Sequence, residues 1–154
     1  MPEPLRRALI AHLNSAFQGP NGDYPALLEA LHGLTARQAL WKPAPTANSI
    51  WQIVHHLAAG KEWQIDMLRT GQAEAYTWIE PPGDEASWQA LLAHLKDSHR
   101  RLTLELEQLT DEDLLAYPVP GLDRTLLELI LSAGSAHQAH HAGQISYLRG
   151  LQGL

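Results

Sequence analysis

The chain contains no cysteine in its 154 residues. That absence removes disulfides, thiolate catalysis and every zinc site that uses sulfur, leaving imidazole and carboxylate as the only strong metal ligands. Cationic excess is missing too. With 11 Lys and Arg against 17 Asp and Glu, the formal net charge is -6, which gives a basic nucleic-acid-binding patch no support. No stretch approaches about 18 uninterrupted apolar residues, the length a membrane span needs. The start, MPEPLRRALIAHL, lacks both a long apolar core and a small-residue cleavage site, so no membrane partner is expected and a cytoplasmic location is the default. The sequence also has no convincing alternating strand pattern, no internal repeat, no low-complexity tract, no phosphate-cradling glycine loop and no Ser-His-Asp order.

What is present is helical periodicity over a length suited to one domain, 1–154. Leu5, Leu9, Leu13 and Phe17 repeat at four-residue spacing and predict a first helix over Pro4 to Phe17, ended by Gly19-Pro20-Asn21-Gly22. Short helices are expected over Tyr24 to His32 and, behind a Thr35 cap, over Ala36 to Leu40. A second long helix should start at Asn48 or Ser49 and run to Thr70, with Gly71 as its stop. A third, Glu85 to Leu109, carries Trp88, Leu91, Leu92, Leu95, His99, Leu102 and Leu106 along one stripe. Thr110 caps a short turn, DEDLL, before a loop holding Pro118, Pro120 and Gly121; a last long helix then spans Thr125 to Arg149, ended by Gly150 and Gly153. The fold class is therefore all-α, a four-helix bundle. The connection over 71–85 is long enough to cross an end of that bundle.

Nine histidines are many for this length. His137 and His141 lie four residues apart, so on a helix their imidazoles sit on one face and can address a single ion. At about 100° per residue, they fall on or beside the apolar stripe of Leu126, Leu129, Ile130, Ala133 and Leu148, while Ser132, Ser135 and Ser146 take the far side. On the second helix His56 borders the inward face of Ile50, Ile53, Val54, Leu57 and Leu68, and His55 projects toward Glu62 and Asp66. A third imidazole from this helix would complete a facial metal site, with His56, His137 and His141 as ligands. His99, on the third-helix stripe, is an option for a fourth participant or a core residue. His12, His32, His55 and His94 read as solvated, His140 as an edge residue, and Trp63 and Trp88 as packing residues. Burying two imidazoles a turn apart costs desolvation unless both are paired. A shared ion would pair them; plain core histidines are the alternative.

SIWQIVHHLAAGKEW, preceded by the Trp-x-Pro of Trp41 to Pro43 and followed by HQAHHAGQISYLRG, resembles the DinB-like (YfiT-like) metal-binding four-helix bundles. The resemblance covers nearly the whole chain, and its most specific element is His-x-x-x-His-x-Gly-Gln. It implies an up-down-down-up bundle, a family named for damage-inducible bacterial proteins, and a divalent ion, zinc or nickel, held by His56, His137 and His141. It also implies a metal-dependent enzyme such as a low-molecular-weight-thiol S-transferase acting on small electrophiles, or a hydrolase. A thiol nucleophile would have to come from a co-substrate, because the protein supplies none. Gln144 and Tyr147 are candidates to orient the ligand rings, and Glu62 is a weaker one. The competing reading is a non-catalytic metal- or ligand-binding module, and a homodimer through an exposed helix face is an option under either.

Overall fold

Side chains that cap helices mark most element boundaries. The computed structural model describes residues 3–78, 80–119 and 121–154, so Met1, Pro2, Ile79 and Pro120 of the segments named above lie outside the described residues. Among the described residues every regular element is helical: α1 (Pro4–Gln18), α2 (Leu27–Leu31), α3 (Ala36–Leu40), α4 (Ile50–Thr70), α5 (Glu85–Glu107), α6 (Asp111–Leu115) and α7 (Leu126–Ile130). A π-helical segment, Leu131–Ala136, then joins α7 to α8 (His137–Leu151) in one continuous rod. Thr35, Ser49, Thr110 and Thr125 each accept a bond from the backbone N–H three residues on, reciprocated by Gln38, Gln52, Asp113 and Glu128. Each such cap stabilises its helix by about 1 kcal/mol. Gly71 closes α4 at a φ of 71°, where a side chain would be strained.

Several boundaries differ from expectation, the first being α1, which continues to Gln18 rather than Phe17. The first short helix is trimmed to Leu27–Leu31, and α5 stops at Glu107 rather than Leu109. The last rod does not end at Gly150: it runs to Leu151, held by Arg149, whose Nη1 donates to the carbonyls of Ala30 at 2.9 Å and His32 at 2.7 Å.

Pairings between the rods fix their directions. Trp51 meets Trp88 with ring centroids 5.2 Å apart, Arg101 reaches Glu62, and Arg69 donates to Glu105 at 2.7 Å, so α4 and α5 run the same way. The 71–84 connection must therefore return along the length of the bundle. Asn14 of α1 bonds His99, while Leu5 and Arg6 at its start bond Asp111 beyond the end of α5. α1 thus opposes α5. Gln64 of α4 meets Gly134, His56 further back meets His137 and His141, and Asn48 and Gln52 near its start line one pocket with His141, so α8 opposes α4. Trp88, fully buried, donates from its indole to Leu34 O at 2.8 Å and ties the short helices to the rods. One apolar cluster surrounds it with Phe17, Leu27, Ile50, Val54, Leu95 and Ile145; a second, at the other end, gathers Leu9, Leu13, Ile65, Leu102, Leu106 and Ile130.

The π segment corrects the helical wheel. Ser135, expected on the outer side, is buried at 2% exposure, and Ala133, expected on the apolar stripe, faces out. A π turn takes more residues than an α turn and advances the face. Gly134 sits at the contact this creates: a Cβ there would lie 2.9 Å from Leu13 Cδ2 and 3.1 Å from Gln64 Oε1. Glycine thus permits α1 and α4 to press against the rod immediately before His137.

Candidate metal centre

His137 and His141 project from the first turns of α8, and His56 projects from α4, which Ser49 caps two turns earlier. Their Nε2 atoms converge: His137 Nε2 is 3.0 Å from His56 Nε2 and 2.9 Å from His141 Nε2. One ligand atom from each of the three falls within 4.8 Å of the others, and all three side chains are half-buried. Imidazoles bound tetrahedrally to a zinc-like ion at about 2.0–2.1 Å would place neighbouring nitrogens about 3.3–3.4 Å apart. The three histidines could therefore hold a metal ion with small adjustment.

Hydrogen bonding fixes the chemistry of one ring. His141 Nδ1 lies 2.6 Å from Gln144 Oε1, a pure acceptor, so Nδ1 carries the proton and Nε2 turns a bare lone pair toward the cluster. Burial, reinforced by neighbouring imidazoles and only partly opposed by Gln144, lowers His141 to about 4. Burial likewise lowers His56 and His137. All three rings are thus neutral near pH 7, the state a cation requires. With imidazole as the donor, the set suits zinc, nickel, copper or iron rather than calcium or magnesium.

A small pocket of about 240 Å³ opens beside the cluster. Asn48, Gln52 and Ile53 line it from the start of α4, Tyr76 and Trp78 from the 71–84 connection, with His56 and His141 completing it. The connection is fastened here. Tyr76 Oη is 2.6 Å from His55 Nδ1, and its ring stands edge-on to His56 with centroids 5.8 Å apart.

The remaining sequence expectations divide. His12, His32, His94 and His140 are exposed; His140 touches the cluster only through an edge contact with His141, centroids 5.1 Å apart. His55, expected in solvent, is half-buried because Tyr76 and Trp78 cover it. His99 does not join the three. It stacks on Phe17 at 3.8 Å between centroids and bonds Asn14 and Lys61, in a separate buried network. Of the ring-orienting candidates, Gln144 contacts a cluster histidine, whereas Tyr147 is 69% exposed and Glu62 is engaged by Arg101 and His94. Trp88 packs as expected, but Trp63 is 41% exposed because its position on α4 faces an open apolar groove with Met67 and Leu129.

Lys61, Gln138, Tyr76 and Trp78 do not stand out as site residues in the sequence. Lys61 is 3% exposed, donating to Gln138 Oε1 at 2.8 Å and to His99 Nδ1 at 3.2 Å. The signal for it was positional: it continues the inward stripe of Val54 and Leu57. Nothing periodic marked Tyr76 or Trp78.

Antiparallel and parallel helical rods carrying three inward imidazoles define an all-α protein with a histidine cluster able to hold a metal. The chain belongs to the DinB superfamily, whose family model matches residues 23–145, a span that includes all three histidines and Gln144. No curated protein and no solved structure matches the chain. Among the described residues, no helix is long and apolar enough to cross a membrane.

Proposed function

We propose that this protein is a metal-dependent enzyme that joins a low-molecular-weight thiol to a small electrophile, with His56, His137 and His141 as the metal ligands. The observation that carries the reading is the convergence of three neutral Nε2 atoms beside an open pocket. Three protein ligands leave coordination positions for substrate, unlike a sealed four-ligand structural site. Bound there, a divalent ion such as zinc or nickel supplies the Lewis acidity that favours deprotonation of a thiol or a water at neutral pH. The chain's own part is positional: α8 sets two rings a turn apart, α4 brings the third, and Gln144 holds the His141 tautomer. The absence of cysteine requires that the nucleophile arrive with a co-substrate. As architecture, we read α1, α4, α5 and the α7–α8 rod as one up-down-down-up four-helix bundle in a single domain, supported by the shared direction of α4 and α5.

Elemental analysis of protein purified without an affinity tag, joined to a screen of thiols against epoxides and chloro-aromatics, tests the proposal. One divalent transition-metal ion per chain is expected, and His141→Ala should lose metal and turnover together. Unchanged turnover by metal-free His141→Ala protein would refute the mechanism. Stabilisation by metal with no turnover would instead indicate a metal-binding module, and thiol-independent hydrolysis a hydrolase.

A further inference from the structure

We infer that the pocket beside the histidine cluster seats the electrophile, and that Tyr76 and Trp78 make it selective for neutral, planar, conjugated rings. The inference rests on the thiol-transfer reading and assigns one of its two substrates to a place.

Charge is the first observation. Among the described residues, none of the side chains lining the pocket is a carboxylate, an ammonium or a guanidinium. An ionic group seated away from the histidines would lose hydration without gaining a partner among these side chains, so charge on a thiol would belong at the metal ion and the ring filling the rest of the pocket is neutral. Size is the second. At about 240 Å³ the pocket falls below the range of drug-sized ligand sites, roughly 300–1,000 Å³, and matches a single substituted ring.

The third observation is the wall. Tyr76 is fixed by its hydroxyl on His55 and Trp78 by an edge contact with His55, centroids 5.2 Å apart, and by its indole N–H on Glu80 at 3.3 Å. The two rings are thereby held in place before a ligand arrives, while Tyr76 keeps 41% of its surface exposed. Fixed aromatic rings favour a flat π-system over a puckered ring of equal size, because offset or edge-on ring pairs add attraction beyond area burial. Gln52 supplies polarity: its Oε1 is committed to the Ser49 N–H at 2.9 Å, leaving its amide N–H groups for a carbonyl or nitro oxygen on the ring. The transfer forms one S–C bond, expels the leaving group with its electron pair, and releases the thiol proton to solvent.

The test compares benzamide with cyclohexanecarboxamide, two neutral probes with the same amide and different ring geometry. Binding to the full chain as purified, native or substituted, is followed from the ligand side, through the broadening of each probe's own NMR signals on titration with protein. Benzamide should bind about fivefold more tightly, although the saturated ring is the more hydrophobic of the two. Tyr76→Leu with Trp78→Leu should bring the ratio to about one with metal content unchanged. Equal binding of both probes to the native chain, or a preference that survives the double substitution, would overturn the inference. Because the ratio is read without turnover and in the presence or absence of metal, failure of the thiol-transfer reading leaves it standing or falling by itself.

Discussion

Lys61→Met isolates the buried amine of the core, and its effect is a slope against pH. Burial lowers Lys61 from 10.5 to about 7 in the folded chain. Below pH 7 both folded and unfolded chains bind the proton, so the full cost of the buried charge is carried by the folded state. Between pH 7 and 10.5 the unfolded chain still binds it while the folded chain has released it. Stability therefore rises with pH, by about 1.4 kcal/mol per unit, or on the order of 2.5 kcal/mol between pH 7 and 9. Methionine has a stem of similar length and does not titrate, so the variant should lack this rise. Its stability at a single pH is less informative, because Gln138 Oε1 and His99 Nδ1 lose a donor at a cost of about 1–3 kcal/mol each. Urea unfolding followed by far-ultraviolet circular dichroism at pH 7, 8 and 9, with chelator present, reads the difference. Parallel profiles for native and variant chains would show that the amine is not buried in the manner described.

Gln144→Leu keeps volume while removing the acceptor on His141 Nδ1, and should weaken metal affinity by about 10- to 100-fold in competition titrations with helical content unchanged. An undiminished affinity would remove Gln144 from the site. Trp88→Ala should cost about 3–5 kcal/mol in equilibrium unfolding, since it empties a fully buried position and orphans the Leu34 carbonyl; a loss below about 1 kcal/mol, the range of surface substitutions, would contradict the packing.

Much of this fold is written in plain residue patterns. Thr35, Ser49, Thr110 and Thr125 announce helix starts because a short side chain with an oxygen is what an unsatisfied N–H needs, and local chemistry of that kind survives folding unchanged. The histidine cluster is legible for a similar reason: four-residue spacing on one rod and a position beside the apolar face on another leave few places to point. What escaped was set by contacts between distant segments. The π turn arises where Leu13 and Gln64 meet Gly134, which no window of α7–α8 sequence contains. Lys61 looks like a surface residue in isolation and goes inside because His99 and Gln138 await it. Tyr76 and Trp78 sit in a stretch without periodicity, and only the course of the chain from α4 to α5 lays them on His55.

The widened turn at Leu131–Ala136 has an evolutionary consequence. Because it sits directly ahead of His137, it acts as a phase setter for everything downstream on the rod. Rewinding to an ordinary α-helix with all six residues kept would swing both imidazoles by about 100°, whereas removal of one residue there would let the backbone take ordinary winding with both rings still in phase. The rod can thus shed one residue in this stretch with its cluster intact, a tolerance that an uninterrupted α-helix would lack.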